Sequence, residues 1–206
     1  MNWNNFYNLI KNRYPVLTVK DIKIIANDEI KSIQLSRWVK KKLLAKLRRG
    51  IYFLPENVKI SSFILANKMF EPSYISLESA LFYYGLIPDI VVANTSITSR
   101  KTCRFKANGQ NFIYQKIKPE LFFGYEEIKI NNWGFLIASP EKTILDYFYL
   151  NQNELKNEDD WRELRINKDL YLKEINKNKL FKFCKLFNNQ KLTKIIKEFD
   201  KYIRTN

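Results

Sequence analysis

The apolar residues of this chain change their spacing from one stretch to the next, and this change constrains the fold more than any other feature. They recur at the helical spacing i, i+3, i+4 and i+7 before residue 43, and again in stretches after residue 139. Between residues 94 and 138 they alternate as in strands, with hairpin signals at Asn108-Gly109 and Asn131-Asn132. The sequence therefore predicts an α+β fold with antiparallel strands in a mixed α/β middle part and helices at the C-terminal end.

Residues 3–42 predict three helices in succession. The apolar face of the first helix consists of Trp3, Phe6, Tyr7 and Ile10. Thr18 and Asp21 have the spacing of a capping box at the start of the second helix. Asn27-Asp28 predicts a tight turn, after which Asp28 can cap a third helix that runs to about Lys42.

The third helix has a core face and a polar, basic face. The residues expected to face the core are Leu35, Val39 and Leu43. The opposite face displays Gln34, Arg37, Trp38 and Lys41. Trp38 is expected to be an aromatic residue at the edge of the core, without a base contact. Short helices joined by a tight turn, the later one basic, are typical of a helix-turn-helix unit, in which that later helix enters the major groove of DNA.

Two short strands follow directly, in residues 44–48 and 51–54, and are joined across Arg49-Gly50. A hairpin in this position is called a wing, and Arg48 and Arg49 at its tip would lie beside the phosphate backbone. Residues 1–55 are therefore predicted to form a winged helix-turn-helix domain, and residues 56–206 a second domain.

The distribution of charge supports a polyanionic partner. The chain has 36 Lys and Arg against 21 Asp and Glu, a net charge of +15. Residues 1–54 hold 12 of the basic and 3 of the acidic residues, so this first quarter carries +9 of the excess. The predicted DNA-binding residues are Gln34, Arg37, Lys40, Lys41, Arg48 and Arg49. The alternative that these cations form only a solvated basic face remains open.

Residues 72–88 predict a short strand followed by a helix. Ser76 is the expected N-cap of that helix, Gly85 ends it, and Pro88 prevents its continuation.

Another helix is expected to begin after Ser139, with Pro140 in its first position. On that helix Lys142 and Asp146 have i, i+4 spacing, which is compatible with an ion pair on a solvated face that contributes only a few tenths of a kcal/mol.

The sequence between about residues 15 and 150 resembles the AbiEi family of bacterial antitoxins, the antitoxin half of type IV toxin–antitoxin modules, which act in abortive infection. The residues that carry the resemblance are QLSRWVKKKLLAKLRRGIYFL (34–54), PSYISLESALFYYGLIP (72–88), TSITSRKT (95–102), FFGYEEI (122–128) and LIASPEKTILDYFYL (136–150). The block at 72–88 is long and ordered, so it is the most specific part. The chain departs from the family at Lys42, where relatives tend to have a glycine that ends the recognition helix.

The spacing of Cys103 and Cys184 and the lack of a signal-peptide pattern predict a cytoplasmic protein, and the resemblance implies two activities. The N-terminal winged helix would bind inverted repeats in operator DNA and repress its own operon. The C-terminal domain would counteract a nucleotidyltransferase-type toxin, with which it need not form a stable complex. The motif residues of that domain, with roles that the resemblance does not specify, are Tyr74, Ser76, Glu78, Ser79, Tyr84, Glu141, Lys142 and Asp146. A mainly architectural role for these residues is the alternative. Residues 151–206 extend beyond the resemblance and predict helices only.

The sequence predicts neither a catalytic site, a metal site, nor a cofactor. Histidine is absent, and the glycine-rich loops and nucleophile motifs of common enzymes are missing. Cys103 and Cys184 are too far apart in sequence for metal-ligand spacing. The C-terminal amphipathic helix is expected to pack against protein rather than against a membrane.

Two other functions remain open. One is a nucleic-acid-processing accessory protein or nuclease-like enzyme, which Mg²⁺-dependent cleavage of DNA or RNA would reveal. The other is a module that neutralises a toxin protein through its basic N-terminal part.

Overall fold

The computed structural model describes residues 1–56, 60–107, 109–130 and 132–205. In this part of the chain there are ten α-helices, nine β-strands and a short 3-10 turn at Pro119–Leu121. The strands form one sheet of three and one sheet of six. The α+β class predicted from the sequence is therefore confirmed.

The N-terminal part combines three helices with the three-stranded sheet. In chain order its elements are α1 (Trp3–Ile10), β1 (Leu17–Thr18), α2 (Val19–Ile25), α3 (Ser32–Lys40), β2 (Ala45–Arg48) and β3 (Ile51–Phe53). The strand order is β1-β3-β2, and both pairings are antiparallel. Gly50 makes the turn between β2 and β3 with a φ of +79°, a backbone conformation that glycine adopts without strain.

The predicted capping box of α2 is confirmed. The backbone N–H of Asp21 donates to the Thr18 hydroxyl over 3.1 Å, and the Thr18 N–H donates to the Asp21 carboxylate over 2.8 Å. The predicted start of α3 at Asp28 is wrong, because this helix begins at Ser32 with Lys31 as its N-cap. Asn27 and Asp28 both have positive φ, so the backbone is still in a left-handed turn where the helix was expected to begin.

The C-terminus of α3 is a Schellman motif with lysine in the position that usually holds glycine. Lys42 has a φ of +56°. The N–H of Leu43 donates to the carbonyl of Trp38 over 3.0 Å, and the N–H of Lys42 donates to Val39 over 3.0 Å. Lys42, the residue at which the chain departs from the resembled family, thus lies in the left-handed position that a glycine would occupy without strain.

The second sheet contains six strands in the order β6-β7-β5-β4-β9-β8. Their bounds are β4 (Ser73–Ile75), β5 (Ala93–Thr98), β6 (Cys103–Ala107), β7 (Gln110–Lys116), β8 (Tyr125–Ile130) and β9 (Trp133–Ala138). The predicted hairpins β6–β7 and β8–β9 are confirmed as antiparallel pairs. Their turn residues Asn108 and Asn131 lie outside the described residues.

Parallel pairing, together with the antiparallel pair β4–β5, joins the two hairpins into one sheet. β5 pairs in parallel with β7, and β4 pairs in parallel with β9. The expectation of antiparallel strands alone was therefore incomplete. Parallel partners need a long connection, and the local turn signals in a sequence do not reveal such pairs.

Seven further helices precede, interrupt or follow the strands of this sheet. They are α4 (Ser62–Met69), α5 (Glu78–Tyr83), α6 (Pro140–Leu150), α7 (Glu158–Glu163), α8 (Lys168–Glu174), α9 (Lys177–Leu186) and α10 (Gln190–Thr205). As expected, α10 packs its apolar face against the rest of the protein, with Leu192, Ile196 and Phe199 buried. No helix in the described ranges combines the length and the apolar character needed to cross a membrane.

The prediction that Ser76 caps α5 is wrong. This helix begins at Glu78, and its N-cap is Leu77, which has a φ of +58°. Ser76 is fully buried, and its hydroxyl donates to Asp146 on α6 instead of to the end of α5.

The two sheets share one apolar core. Leu47 of β2 and Phe53 of β3 belong to the same buried cluster as Phe70, Phe112 and Ile137 from the six-stranded sheet and its flanking α4 segment. A separate cluster lies between α1, α2 and α3. The hairpin β2–β3 therefore connects the N-terminal helices to the second sheet.

Candidate functional site

The exposed face of α3 differs from the face expected from the sequence. Trp38 is buried at 6% exposure, because it stacks on Phe6 of α1 and meets Trp3 edge-on, with ring centroids 5.2 and 5.1 Å apart. These ring contacts orient α3 so that Arg37 is exposed and Val39 is only half-buried. The exposed strip of α3 consists of Ile33, Ser36, Arg37 and Lys40, with Lys41 following at the end of the helix.

Gln34 lies at the edge of this strip. Its side-chain amide is half-buried and donates a hydrogen bond of 2.6 Å to the carbonyl oxygen of Met1. Of the predicted DNA-binding residues on α3, the structure leaves Arg37, Lys40 and Lys41 exposed and holds Gln34 against the start of the chain.

The cations near α3 have no acidic partners within the described ranges. None of the following lies within 4.0 Å of a described carboxylate oxygen: Lys31, Arg37, Lys40, Lys41, Lys42, Lys46 and Arg49. All seven residues are exposed. Positive charge that no neighbouring carboxylate neutralises raises the local concentration of a polyanion.

Arg48 and Arg49, adjacent at the hairpin tip, have different environments. Arg49 is exposed in the turn between β2 and β3. Arg48 is half-buried, and its guanidinium lies 4.3 Å from the centre of the Phe105 ring on β6. Of these two arginines, only Arg49 extends into solvent.

A second group of polar residues is buried between β4 and α6. Asp146 accepts hydrogen bonds of 2.9 Å from the hydroxyls of Tyr74 and Ser76, and it also pairs with the ammonium group of Lys142. The same ammonium group donates to the Tyr74 hydroxyl over 2.9 Å. All four side chains are fully buried, so the expectation of a solvated ion pair on α6 is wrong. The i, i+4 pairing itself is confirmed.

Aromatic rings enclose the ammonium group of Lys142. The rings of Phe123 and Phe187 lie 5.1 and 5.0 Å from its nitrogen. Gly124 has a φ of +75°, and a Cβ atom there would lie 3.2 Å from Cγ of Lys142, so a larger residue would be strained and would push this side chain aside. Phe187 follows α9, and α9 lies outside the resembled region. The enclosure was not predicted from the sequence, because no local motif indicates which aromatic rings surround Lys142.

Burial and pairing act in opposite directions on these groups. Burial lowers the pKa of Lys142, whereas the charge of Asp146 and the hydrogen bond to it oppose this change. Burial likewise raises the pKa of Asp146, against the effects of Lys142, Ser76 and Tyr74. Burial also raises the pKa of Tyr74 well above its ordinary value. A tyrosine that stays protonated keeps donating its hydrogen bond to Asp146.

Glu141 neighbours this group on α6 but has its own partners. Burial alone would raise its pKa, but hydrogen bonds from Lys179, Ser139 and the Asn176 N–H outweigh that effect and lower the pKa. The Lys179 ammonium lies 2.8 Å from the carboxylate, and the Ser139 hydroxyl donates to it over 2.9 Å. Glu141 thus ties α6 to the start of α9.

The remaining motif residues connect elements of the fold. The Ser79 hydroxyl accepts the Thr95 N–H over 2.8 Å, which joins α5 to β5. The Tyr84 hydroxyl donates to the carbonyl of Ala138 over 2.8 Å. Glu78 lies apart from the buried group, half-exposed at the start of α5. These contacts favour the architectural interpretation of the motif.

In the described ranges, no three His, Cys, Asp or Glu side chains are grouped so that they could hold a metal ion. The exposed cations on α3 and at the hairpin tip, which have no acidic partner within the described ranges, form a surface that suits an anion. A scan against protein-family models finds no match to this chain, and neither does a search of curated protein sequences.

Proposed function

We propose that the N-terminal part, residues 1–55, is a winged helix-turn-helix domain that binds DNA, with α3 as the recognition helix. The observation that carries this proposal is the exposed strip of α3, on which Arg37 and Lys40 have no acidic partner among the described residues. The order of elements supports it, because β1 between α1 and α2 pairs with β3 of the hairpin that follows α3.

The charges of this surface fit the two kinds of contact that DNA offers. Lys40, Lys41 and Arg49 suit phosphates, which set the position of a protein on the duplex but carry little sequence information. Arg37 lies in the middle of α3, where its guanidinium can pair with the two acceptors of a guanine in the major groove. Gln34 would first have to release Met1, and Arg48 would have to leave Phe105. The proposed contacts are therefore Arg37, Lys40, Lys41 and Arg49.

We further propose that the protein is the antitoxin of a type IV module. The proposal rests on the resemblance of residues 15–150 to AbiEi antitoxins. DNA binding would then repress the protein's own operon through inverted repeats. The part after residue 56 would counteract a nucleotidyltransferase-type toxin in the cytoplasm, where the two proteins need not form a stable complex. The dense contacts of Tyr74, Ser76, Lys142 and Asp146 would hold the shape of that part rather than contact the toxin.

The DNA-binding proposal is tested with the full chain and a binding site selected from random duplexes. Gel shifts should show sequence-specific binding that weakens as salt is raised. Arg37→Ala should cost about 1 to 3 kcal/mol of binding free energy and relax the preference at one base pair. Arg162→Ala removes an exposed arginine on α7 and should leave binding unchanged.

Other outcomes would contradict the proposal. If Arg37→Ala and Arg162→Ala bind the selected site equally well, α3 is not the recognition helix. Cleavage of DNA or RNA in the presence of Mg²⁺ would instead favour a nuclease-like enzyme.

The antitoxin proposal is tested in cells with the adjacent gene. If that gene encodes a nucleotidyltransferase-like protein that arrests growth, co-expression of this chain should restore growth. An Arg37→Ala variant should still restore it when expressed from an unrelated promoter, because repression and protection would depend on different surfaces. Continued growth arrest despite normal expression of the chain would contradict the proposal.

A further inference from the structure

An exposed apolar side chain lies at the N-terminal end of the exposed strip on α3. Ile33 is 65% exposed, although its neighbours along the strip are Ser36, Arg37 and Lys40. Successive residues of a helix are 100° apart, so Ile33 points almost directly away from the core positions Leu35 and Trp38. A single exposed isoleucine is common on protein surfaces. Its position within an otherwise polar strip limits the kinds of partner that this side chain can contact.

The setting of Ile33 does not fit a protein partner. The cores of protein interfaces are depleted of charged residues. Ile33 instead lies one turn from Arg37, with Lys31 nearby at the N-terminus of the helix, and both cations are exposed. An apolar side chain within a cationic surface fits an anionic partner that also offers an apolar group.

The major groove of DNA offers such a group in the 5-methyl of thymine, which contacts apolar side chains. On α3, Ile33 and Arg37 are four residues apart, or about 6 Å along the helix axis. This distance corresponds to one or two base pairs, because the duplex rises about 3.4 Å per base pair.

We propose that Ile33 contacts the 5-methyl group of a thymine that lies within two base pairs of the guanine bound by Arg37, and that Ile33 thereby determines specificity for that thymine. The inference rests on the proposed DNA-binding function and adds to it an apolar determinant that the basic residues do not supply.

The test replaces each thymine of the selected binding site, one at a time, with deoxyuridine, which lacks only the methyl group. For the full-length wild-type protein, one replacement near the guanine bound by Arg37 should weaken binding about fourfold, the effect of one buried methyl group. Ile33→Ala should bind the thymine and uracil sites equally, whereas Ile33→Val should keep most of the preference.

Ile24→Ala serves as the matched control. Ile24 is 70% exposed on α2 and does not belong to the strip, so this variant should retain the wild-type preference for thymine. Thermal unfolding should be nearly unchanged in both alanine variants, because both isoleucines are largely solvated.

The outcomes separate this inference from the function on which it rests. Sequence-specific, Arg37-dependent binding without a methyl effect in the wild type overturns the inference alone. A methyl effect that persists in Ile33→Ala also overturns it, because another residue would then contact the thymine. Absence of sequence-specific DNA binding by the wild-type protein overturns both the inference and the proposed function.

Discussion

The guanidinium carbon of Arg48 lies 4.3 Å from the centre of the Phe105 ring. This contact joins the hairpin β2–β3 to β6 of the six-stranded sheet. Arg49, the next residue, is exposed and lies over no aromatic ring of the described residues. The sequence assigns both of these adjacent arginines to the phosphate backbone. From their environments, we instead expect Arg49 to contribute to DNA binding and Arg48 to the stability of the fold.

Arg49→Ala should weaken binding to specific and non-specific DNA alike, because one phosphate contact is lost. The slope of log K against log salt should become less negative by about 0.9. The melting temperature should change little. Gel shifts at several salt concentrations measure the slope.

Arg48→Ala should show the opposite pattern. Loss of the cation–π contact should destabilise the fold by about 0.5 to 2 kcal/mol, with the salt slope unchanged. Equal changes of slope in the two variants would indicate that Arg48 leaves Phe105 to bind DNA.

Removal of either partner from the buried pair of Lys142 and Asp146 should strongly destabilise the fold. Asp146→Asn leaves the Lys142 ammonium in an apolar site without a counter-charge. We expect a loss of about 3 to 5 kcal/mol in the free energy of unfolding. Urea unfolding followed by circular dichroism measures the loss.

The same chain provides a control for this effect. Lys194 and Glu198 form another i, i+4 pair at 4.0 Å, with side chains 78% and 49% exposed. Glu198→Gln should change stability by less than about 1 kcal/mol. The double variant with Lys142→Met and Asp146→Asn should be more stable than Asp146→Asn alone, since it leaves no unpaired buried charge. Equal losses in the single and double variants would contradict this interpretation.

The free energy of unfolding should depend on pH because of the Glu141 carboxylate. Its hydrogen bonds lower its pKa in the folded state below the ordinary value of 4.5. Its contribution is therefore fully present above that value and is lost as the pH falls through the lower, folded-state pKa. Glu141→Gln should cost about 1 to 3 kcal/mol at neutral pH. The cost should shrink as the pH falls below 4.5.

Urea unfolding of both proteins at a series of pH values measures this dependence. Glu163→Gln, at an exposed position on α7, serves as the control and should have a small effect at every pH. A cost for Glu141→Gln that stays constant down to strongly acidic pH would contradict the role of the carboxylate charge.

Lys42→Gly should stabilise the protein by about 0.5 to 1 kcal/mol. At a φ of +56° a lysine is strained, and glycine relieves more strain than its added flexibility costs. Lys41→Gly, one residue earlier at a φ of −79°, should destabilise by a similar amount. Thermal unfolding of the two variants distinguishes them, and a lower melting temperature for Lys42→Gly would show that the left-handed position carries no strain.

Features that depend on residues close in sequence could be predicted. The capping box of Thr18 and Asp21 involves groups three residues apart, so its hydrogen bonds form whenever the helix does. The N-cap of α6 at Ser139 and the hairpins β6–β7 and β8–β9 follow from similarly local signals. The same local information predicted that Lys142 and Asp146 would pair.

The surroundings of those residues were decided by tertiary structure. Trp38 is buried because Phe6 stacks on it and Trp3 meets it edge-on, and these contacts leave Ile33 on the exposed face of α3. Periodicity alone placed Trp38 on the face opposite the core, since it counts apolar positions and does not indicate which partner ring is present.

Burial of the Lys142–Asp146 pair likewise depends on distant segments. The i, i+4 spacing determines that the two charges meet, but Tyr74 and Phe187 determine whether water reaches them. The sequence by itself therefore determined the helices, the hairpins and the local pairings, whose energies come from neighbouring residues. The packing of remote segments decided which faces are buried, because solvent exclusion depends on every element that surrounds a group. It thereby also decided which charges remain free for a ligand.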